Sequence, residues 1–367
     1  MPRLLIILLV LYCSAELSFS QGESALPFLL IEPTTRATGM AGAFTAIAND
    51  AGAMYFNPAG MTQMQWGSVD FNQVDWLPSF GFSDLDLTYR ALTWTITQVG
   101  SFGISYMRLN LGKNIITDET GAELASFDTY EQAFAFGYAR ELNKNISLGA
   151  TVKMIESHLI NSVVFSPRKT TVKAYALDIG FLYQNFLPDF CYRKRFYSSL
   201  SKPWLQRPLP PGPAIGIAIQ NIGPHVEYRD QNQRDPLPQN LRLGLAWQIV
   251  DTDIAGIRIS ADIQKLLVKK YKDGSSDAFY NAWFTSWSKF QWKSLRLGLG
   301  VEIFFTPLFT LRFGRFIEDE DYGARKYTAL GFSLGPESLR FNYSEYIPKE
   351  RDHPLRGTRF FGFSFAY

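Results

Sequence analysis

The chain has 367 residues, with 36 Lys and Arg against 34 Asp and Glu, and this near-neutral balance of +2 excludes a partner such as nucleic acid recruited by bulk charge. Its 15% aromatic content is high, yet the mean hydropathy of −0.07 excludes a bundle of apolar membrane helices. With 2 Cys in the whole chain, a disulfide framework or a cysteine-based metal site is excluded as well.

Residues 1–20, MPRLLIILLVLYCSAELSFS, have Arg3, an apolar run from Leu4 to Tyr12 and small residues before Gln21, the layout of a secretory signal peptide cleaved after Ser20. The apolar run is too short to span a bilayer. Tyr12 stands where lipoprotein processing at Cys13 needs a small residue, and cleavage would leave Cys191 as the lone cysteine of an exported chain.

Residues 21–64 show no alternation. The stretch TTRATGMAGAFTAIANDAGAMYFNPAGMTQM is rich in Gly and Ala and punctuated by Asn57-Pro58, so short helices and tight turns are expected. Phe44, Met54, Tyr55, Phe56 and Met61 are too apolar for a solvated tail, which points to a compact plug.

Residues 65–367 read as an all-β unit. After mixed alternation at Trp66–Leu77 and Asp86–Thr97, dyads recur: Phe102/Ile104/Tyr106, Phe134/Phe136/Tyr138, Leu148/Val152, Tyr175 to Tyr183, Ile215 to Ile219, Leu241 to Ile249, Ile257 to Ile263, Leu295 to Val301, Phe309 to Phe313, Leu330 to Leu334, Leu339 to Tyr343 and Phe361 to Tyr367. The opposite positions hold Gly, Ala and Ser, interrupted by Lys153, Asp178, Arg242, Arg258, Asp262, Arg296, Glu302, Arg312 and Arg340. A soluble sandwich would carry long polar side chains on its second face. Apolar residues outward with small and charged residues inward fit a closed transmembrane antiparallel β-barrel of about fourteen strands in the bacterial outer membrane, surrounded by lipid. The lumen charges either line a solute pathway or pair with one another and with the plug.

Short connections (TQVGS, ELNKN, IVDTD, FFTPL, LGPES) alternate with longer ones at Leu111–Thr129, Ser157–Thr171, Gly223–Gln239, Lys265–Lys293, Ile317–Lys326 and Ile347–Thr358. Short periplasmic turns and long outer loops put both termini on the periplasmic side. One connection, Asn185–Pro213, breaks the alternation: it is long, basic and proline-rich, either a periplasmic element or a missed strand pair. Tyr280, Trp283 and Trp287 sit in the loop DAFYNAWFTSWSKFQW, as interfacial anchors or partner contacts. His158, His225 and His353 all fall in outer loops, where solvated residues are expected rather than a metal site. No nucleophile and base, phosphate loop or metalloprotease pattern is found, so neither an enzyme nor a cofactor is expected.

The run GMAGAFTAIANDAGAMYFNPAGM, with Gly39, Gly42, Asn57, Pro58 and Gly60, resembles the N-terminal signature of FadL-like outer-membrane proteins, whose members are fourteen-stranded barrels with a plug. More narrowly, FLYQNFLP, NIGPHVEY, DPLPQNLRLGLAW, DIQKLLV and the C-terminal YIPKERDHPLRGTRFFGFSFAY resemble the PorV/PorQ family. That resemblance implies an accessory barrel of type IX secretion that docks beside the large translocon barrel (Sov/SprA-like), binds C-terminal signal domains of cargo and passes them on. The broader likeness implies the alternative, a channel for hydrophobic small molecules. The terminal Phe363, Phe365 and Tyr367 resemble the signal read by the barrel-assembly machinery.

Overall fold

The computed structural model describes residues 24–81, 84–118, 120–159, 171–187, 192–194, 212–227, 234–252, 255–271, 274–288, 292–305, 308–336 and 338–367. The signal-peptide expectation and Cys191 lie outside them. The long strands are β1 (Gly67–Asp75), β2 (Leu85–Ile96), β3 (Gly100–Thr117), β4 (Glu123–Glu141), β5 (Ile146–His158), β6 (Thr171–Tyr183), β7 (Gly212–Ile222), β8 (Asn240–Thr252), β9 (Ala255–Leu266), β10 (Leu295–Phe305), β11 (Phe309–Ile317), β12 (Lys326–Leu334), β13 (Arg340–Pro348) and β14 (Arg359–Ala366). Each pairs antiparallel with the next, and β14 returns to β1 with Phe363 opposite Phe71, so fourteen strands close into a barrel. Closure leaves no unpaired edge in the hydrocarbon layer.

The dyads point as their chemistry requires. Phe134, Phe136, Tyr175, Leu245, Phe313 and Phe363 are exposed on the outside, while alternate positions such as Ala133, Thr151, Ala218 and Ala329 are buried. Tyr367 seals the closing seam: its amide and carbonyl both pair with Gly67, and its hydroxyl donates to the Thr93 carbonyl at 3.2 Å. Its ring lies where a β-carbon on Gly67 would be, so the seam needs glycine there.

Two expectations are corrected, and one left open is narrowed. Leu111–Thr129 is not a loop: β3 and β4 continue to Thr117 and Glu123 as a projecting hairpin with its turn at Asp118. Alternation vanishes there because both faces leave the bilayer. Of the two readings of Asn185–Pro213, a missed strand pair is not found among the described residues. Within it Tyr192–Lys194 runs parallel to Val250–Thr252, and β6 pairs directly with β7. Finally, the two ends of the described chain are not on one side. Tyr367 is at the short-turn end, whereas the Ala25 amide bonds to the Pro236 carbonyl at the long-loop end. The N-terminal segment therefore runs the height of the lumen before β1 begins.

Candidate functional site

The segment inside the barrel is built from one-turn pieces: 3-10 turns at Pro27–Leu30 and Pro58–Gln63, and short helices α1 (Thr35–Thr38) and α2 (Ala53–Phe56). Asn57 is extended, and its side chain caps the turn that Pro58 opens by accepting from the Ala59 amide at 3.2 Å. The same side chain donates to the Thr45 and Phe181 carbonyls, tying two parts of the plug to β6. Gly42 adopts φ 74°, and a β-carbon on it would meet the Glu32 carboxylate. A β-carbon on Gly60 would strike the Ala48 carbonyl, and Gly39 packs against Gly331 and the stem of Arg312.

The wall answers with its own glycines. A β-carbon on Gly149 would meet the Pro58 and Ala59 backbone, one on Gly216 the Thr45 carbonyl, and one on Gly314 the Ala41 amide. Gly103 and Gly137 instead face the sulfurs of Met54 and Met61. These positions let the plug backbone approach the sheet, so Met40, Phe44, Ile47, Phe56 and Met61 are fully buried. Near the loop end the inner face turns aromatic. Phe316 stacks on Tyr327 with centroids 5.0 Å apart, Tyr327 meets Tyr346 at 4.1 Å, and Tyr346 meets Phe360 at 4.8 Å.

Most charged residues of the lumen fall into three groups. Glu302 accepts from Arg36 Nε at 3.0 Å, Arg258 Nη1 at 2.7 Å and Arg312 Nε at 2.9 Å, while Arg36 also reaches Asn49 and Asp50. Asp70 lies beside Asp50, and both accept from the Gly52 amide. Nearer the loop end, Arg242 donates to Glu32 at 3.1 Å, to Asp262 at 3.3 Å and to the Gly42 carbonyl at 2.6 Å. Lys153 pairs with Asp178 at 2.7 Å, and the Asn221 amide donates to the same carboxylate. Arg296 donates to Asn240 at 2.6 Å. Arg340 stands at the start of β13, half-buried, with a long 3.4 Å bond to the Gly335 carbonyl. Because buried charges are costly unless paired, the first two groups act as pins between plug and wall.

At the loop end, helix α3 (Phe279–Thr285) presents aromatic side chains outward. Tyr280 is exposed, Trp287 lies under Lys265 Nζ at 5.8 Å, and Trp283 is held by its indole bond to Gln239 at 2.9 Å. Phe284 and Trp292 are the most exposed, at 78% and 80%. At the turn end Phe363 and Tyr367 are exposed and Phe365 half-buried. The histidines are dispersed: His158 stacks on Tyr130, His225 bonds Ser276, and His353 accepts from the Leu355 amide. No cluster of metal-ligating side chains occurs among the described residues.

The model of the family described as "Type IX secretion system protein PorV" matches residues 21–273. The chain belongs to the PorV family. No curated protein matches it. Among solved structures, this PorV-family barrel is similar to the Pseudomonas putida toluene transporter TodX (TM-score 0.51, 12% identity, 92% of this chain and 99% of that one). It is also similar to the Ralstonia pickettii toluene transporter TbuX (TM-score 0.50, 12% identity, the same coverages). At such identities the likeness shows a shared fold, a FadL-like outer-membrane barrel.

For a PorV-family chain, the sequence left three parts of this site unmarked. Arg36 and Glu32, which carry the plug's share of the ion pairs, stand in a stretch read only for Gly, Ala and aromatics. Phe316, Tyr327, Tyr346 and Phe360 were signalled by falling out of phase with the outward dyads. Phe284 and Trp292 share the aromatic run with Tyr280, Trp283 and Trp287, and no spacing in that run marks them as the most exposed.

Proposed function

We propose that this outer-membrane barrel is an accessory shuttle of type IX secretion that binds the C-terminal signal domains of cargo and the large translocon barrel through its loop end. The carrying observation is a contrast. The lumen is filled by a segment tied to the wall by buried ion pairs, whereas α3 exposes Tyr280 and Phe284. Exposed Trp and Tyr are the residue types that dominate binding hot spots. In this reading the long loops face outside the cell, and the barrel-assembly machinery recognises Phe363, Phe365 and Tyr367.

The test is to replace Tyr280, Phe284 and Trp287 together by Ser and to follow secretion of signal-bearing cargo. Secretion falls while heat-modifiable migration stays normal, and recovery of the translocon barrel in a pull-down falls with it. The competing reading, a channel for hydrophobic small molecules, draws on the aromatic inner face near the loop end and on the toluene transporters that share the fold. Unchanged secretion, together with toluene uptake that is lost on Asn57→Ala, would favour that channel.

A further inference from the structure

The outer wall of β1–β6 carries a groove of about 780 Å³ whose sides include Phe71, Leu92, Ile104, Phe134, Phe136 and Val152. Arg90 stands on its border and is exposed, while Asp70 and Lys153, the other charged residues of the border, are buried on the lumen side. Arg90 is in register with Phe71 on one side and Tyr106 on the other. One row nearer the loop end the outward positions become Gln73, Thr88, Arg108, Gln132, Glu156 and Lys173, so Arg90 lies where the apolar belt gives way to polar side chains.

The acids around it are already engaged. Asp86 accepts from Gln73 at 2.9 Å and from Asn110 at 3.1 Å, and Glu156 takes Lys173 at 3.0 Å and Gln132 at 3.0 Å. Arg108 lies over the Tyr130 ring at 3.9 Å. The Arg90 guanidinium makes no hydrogen bond, ion pair or ring contact with any described residue. A second groove, of about 490 Å³, is bordered by Arg315, but that guanidinium donates to Thr328 Oγ1 at 3.1 Å.

A free cation at the head of a hydrocarbon-lined groove matches an amphiphile with an anionic head and an apolar tail. A guanidinium also offers a phosphate two parallel donors in a fixed fork. We propose that the groove holds an acyl chain of an anionic membrane lipid whose phosphate is bound by Arg90. The occupant is a lipid rather than a free anion, because the apolar volume surrounding the cation has no use for inorganic phosphate. A cation near the interface costs far less than one at mid-bilayer, so the position is tolerable before the lipid arrives.

The test uses the full chain in a mild detergent with phosphatidylglycerol or phosphatidylcholine, read by native mass spectrometry, with heat-modifiable migration checked for every variant. The wild type should retain one phosphatidylglycerol per barrel about fivefold more often than phosphatidylcholine, as expected for a charge-assisted head-group contact. Arg90→Gln should remove that preference, Arg315→Gln should preserve it, and Val152→Trp should lower retention of both lipids by filling the groove. Equal preference in the wild type and Arg90→Gln, or displacement of the lipid by inorganic phosphate, would overturn the assignment.

Discussion

The lumen and the loop end are built by opposite rules. Inside, nearly every long polar side chain has a designated partner: Glu302 meets Arg36, Arg258 and Arg312, and Arg242 meets Glu32 and Asp262. At the loop end, large apolar side chains such as Phe284 and Tyr280 are exposed. The difference teaches where the molecule spends its packing. A pathway for solute would leave polar or apolar surface unoccupied inside, and a surface for proteins leaves it unoccupied outside. This PorV-family barrel exposes apolar side chains at its loop end and packs its own N-terminal segment inside, the arrangement that the proposed function requires.

The strongest way to break the comparison is to remove the centre of the lumen network. Glu302→Gln leaves Arg36, Arg258 and Arg312 buried without their shared counter-charge, and stability should fall by about 3–5 kcal/mol. The denaturant midpoint of heat-modifiable migration reads this. The exposed pair of Arg359 with Glu345, 3.9 Å apart, is the control, and Arg359→Ala should cost no more than about 1 kcal/mol. Equal effects would mean that the lumen charges do not hold the plug.

A smaller effect sharpens the fit between plug and wall. Gly149→Ala would drive a β-carbon into the backbone of Pro58 and Ala59, which cannot move aside cheaply, and should cost about 1–3 kcal/mol. Gly103→Ala meets only the thioethers of Met54 and Met61, which can change rotamer, so its cost should be distinctly lower. Limited proteolysis of the plug segment gives the readout, and the reverse order would contradict the packing described.

The barrel itself was legible in the sequence because lipid imposes a period of two on every spanning strand. Phe134/Phe136/Tyr138 and Phe361/Phe363/Phe365 could be assigned to the outside from alternation alone. Where that constraint ends, legibility ends. The hairpin over Leu111–Thr129 has water on both faces, so its alternation disappears although the strands continue. The inward charges could be named, but their partners are as distant in sequence as Arg36 and Glu302, and no spacing reveals such a pairing. The wall glycines were visible as a small-residue face, yet what each one faces depends on the path of the plug. Its course from Ala25 at the loop end down to Gly67 is not written in any local pattern.

The smallest expected effect concerns the tip of the projecting hairpin. Asp118 accepts from the Thr120 hydroxyl and from the Ala122 and Thr120 amides, and these bonds, the hydroxyl first, pull its carboxyl below the usual range. A depressed carboxyl stabilises the turn above its unfolded value of about 3.9 and loses that contribution as pH falls through the lower folded value. Amide exchange at Ala122, corrected for its intrinsic rate, should be slower at pH 6 than at pH 2.5. An unchanged protection factor would remove the carboxylate from the account of this turn.

The central claim is that contact with secretion partners is made at the loop end and not within the lumen. Photo-crosslinking in living cells tests it most directly, with a photoreactive residue placed at exposed Phe284 in one variant and at buried Ala37 of α1 in another. The account predicts crosslinks from position 284 to a cargo signal domain or the translocon barrel, and only intramolecular products from position 37. Partner crosslinks from position 37, with none from 284, would contradict it.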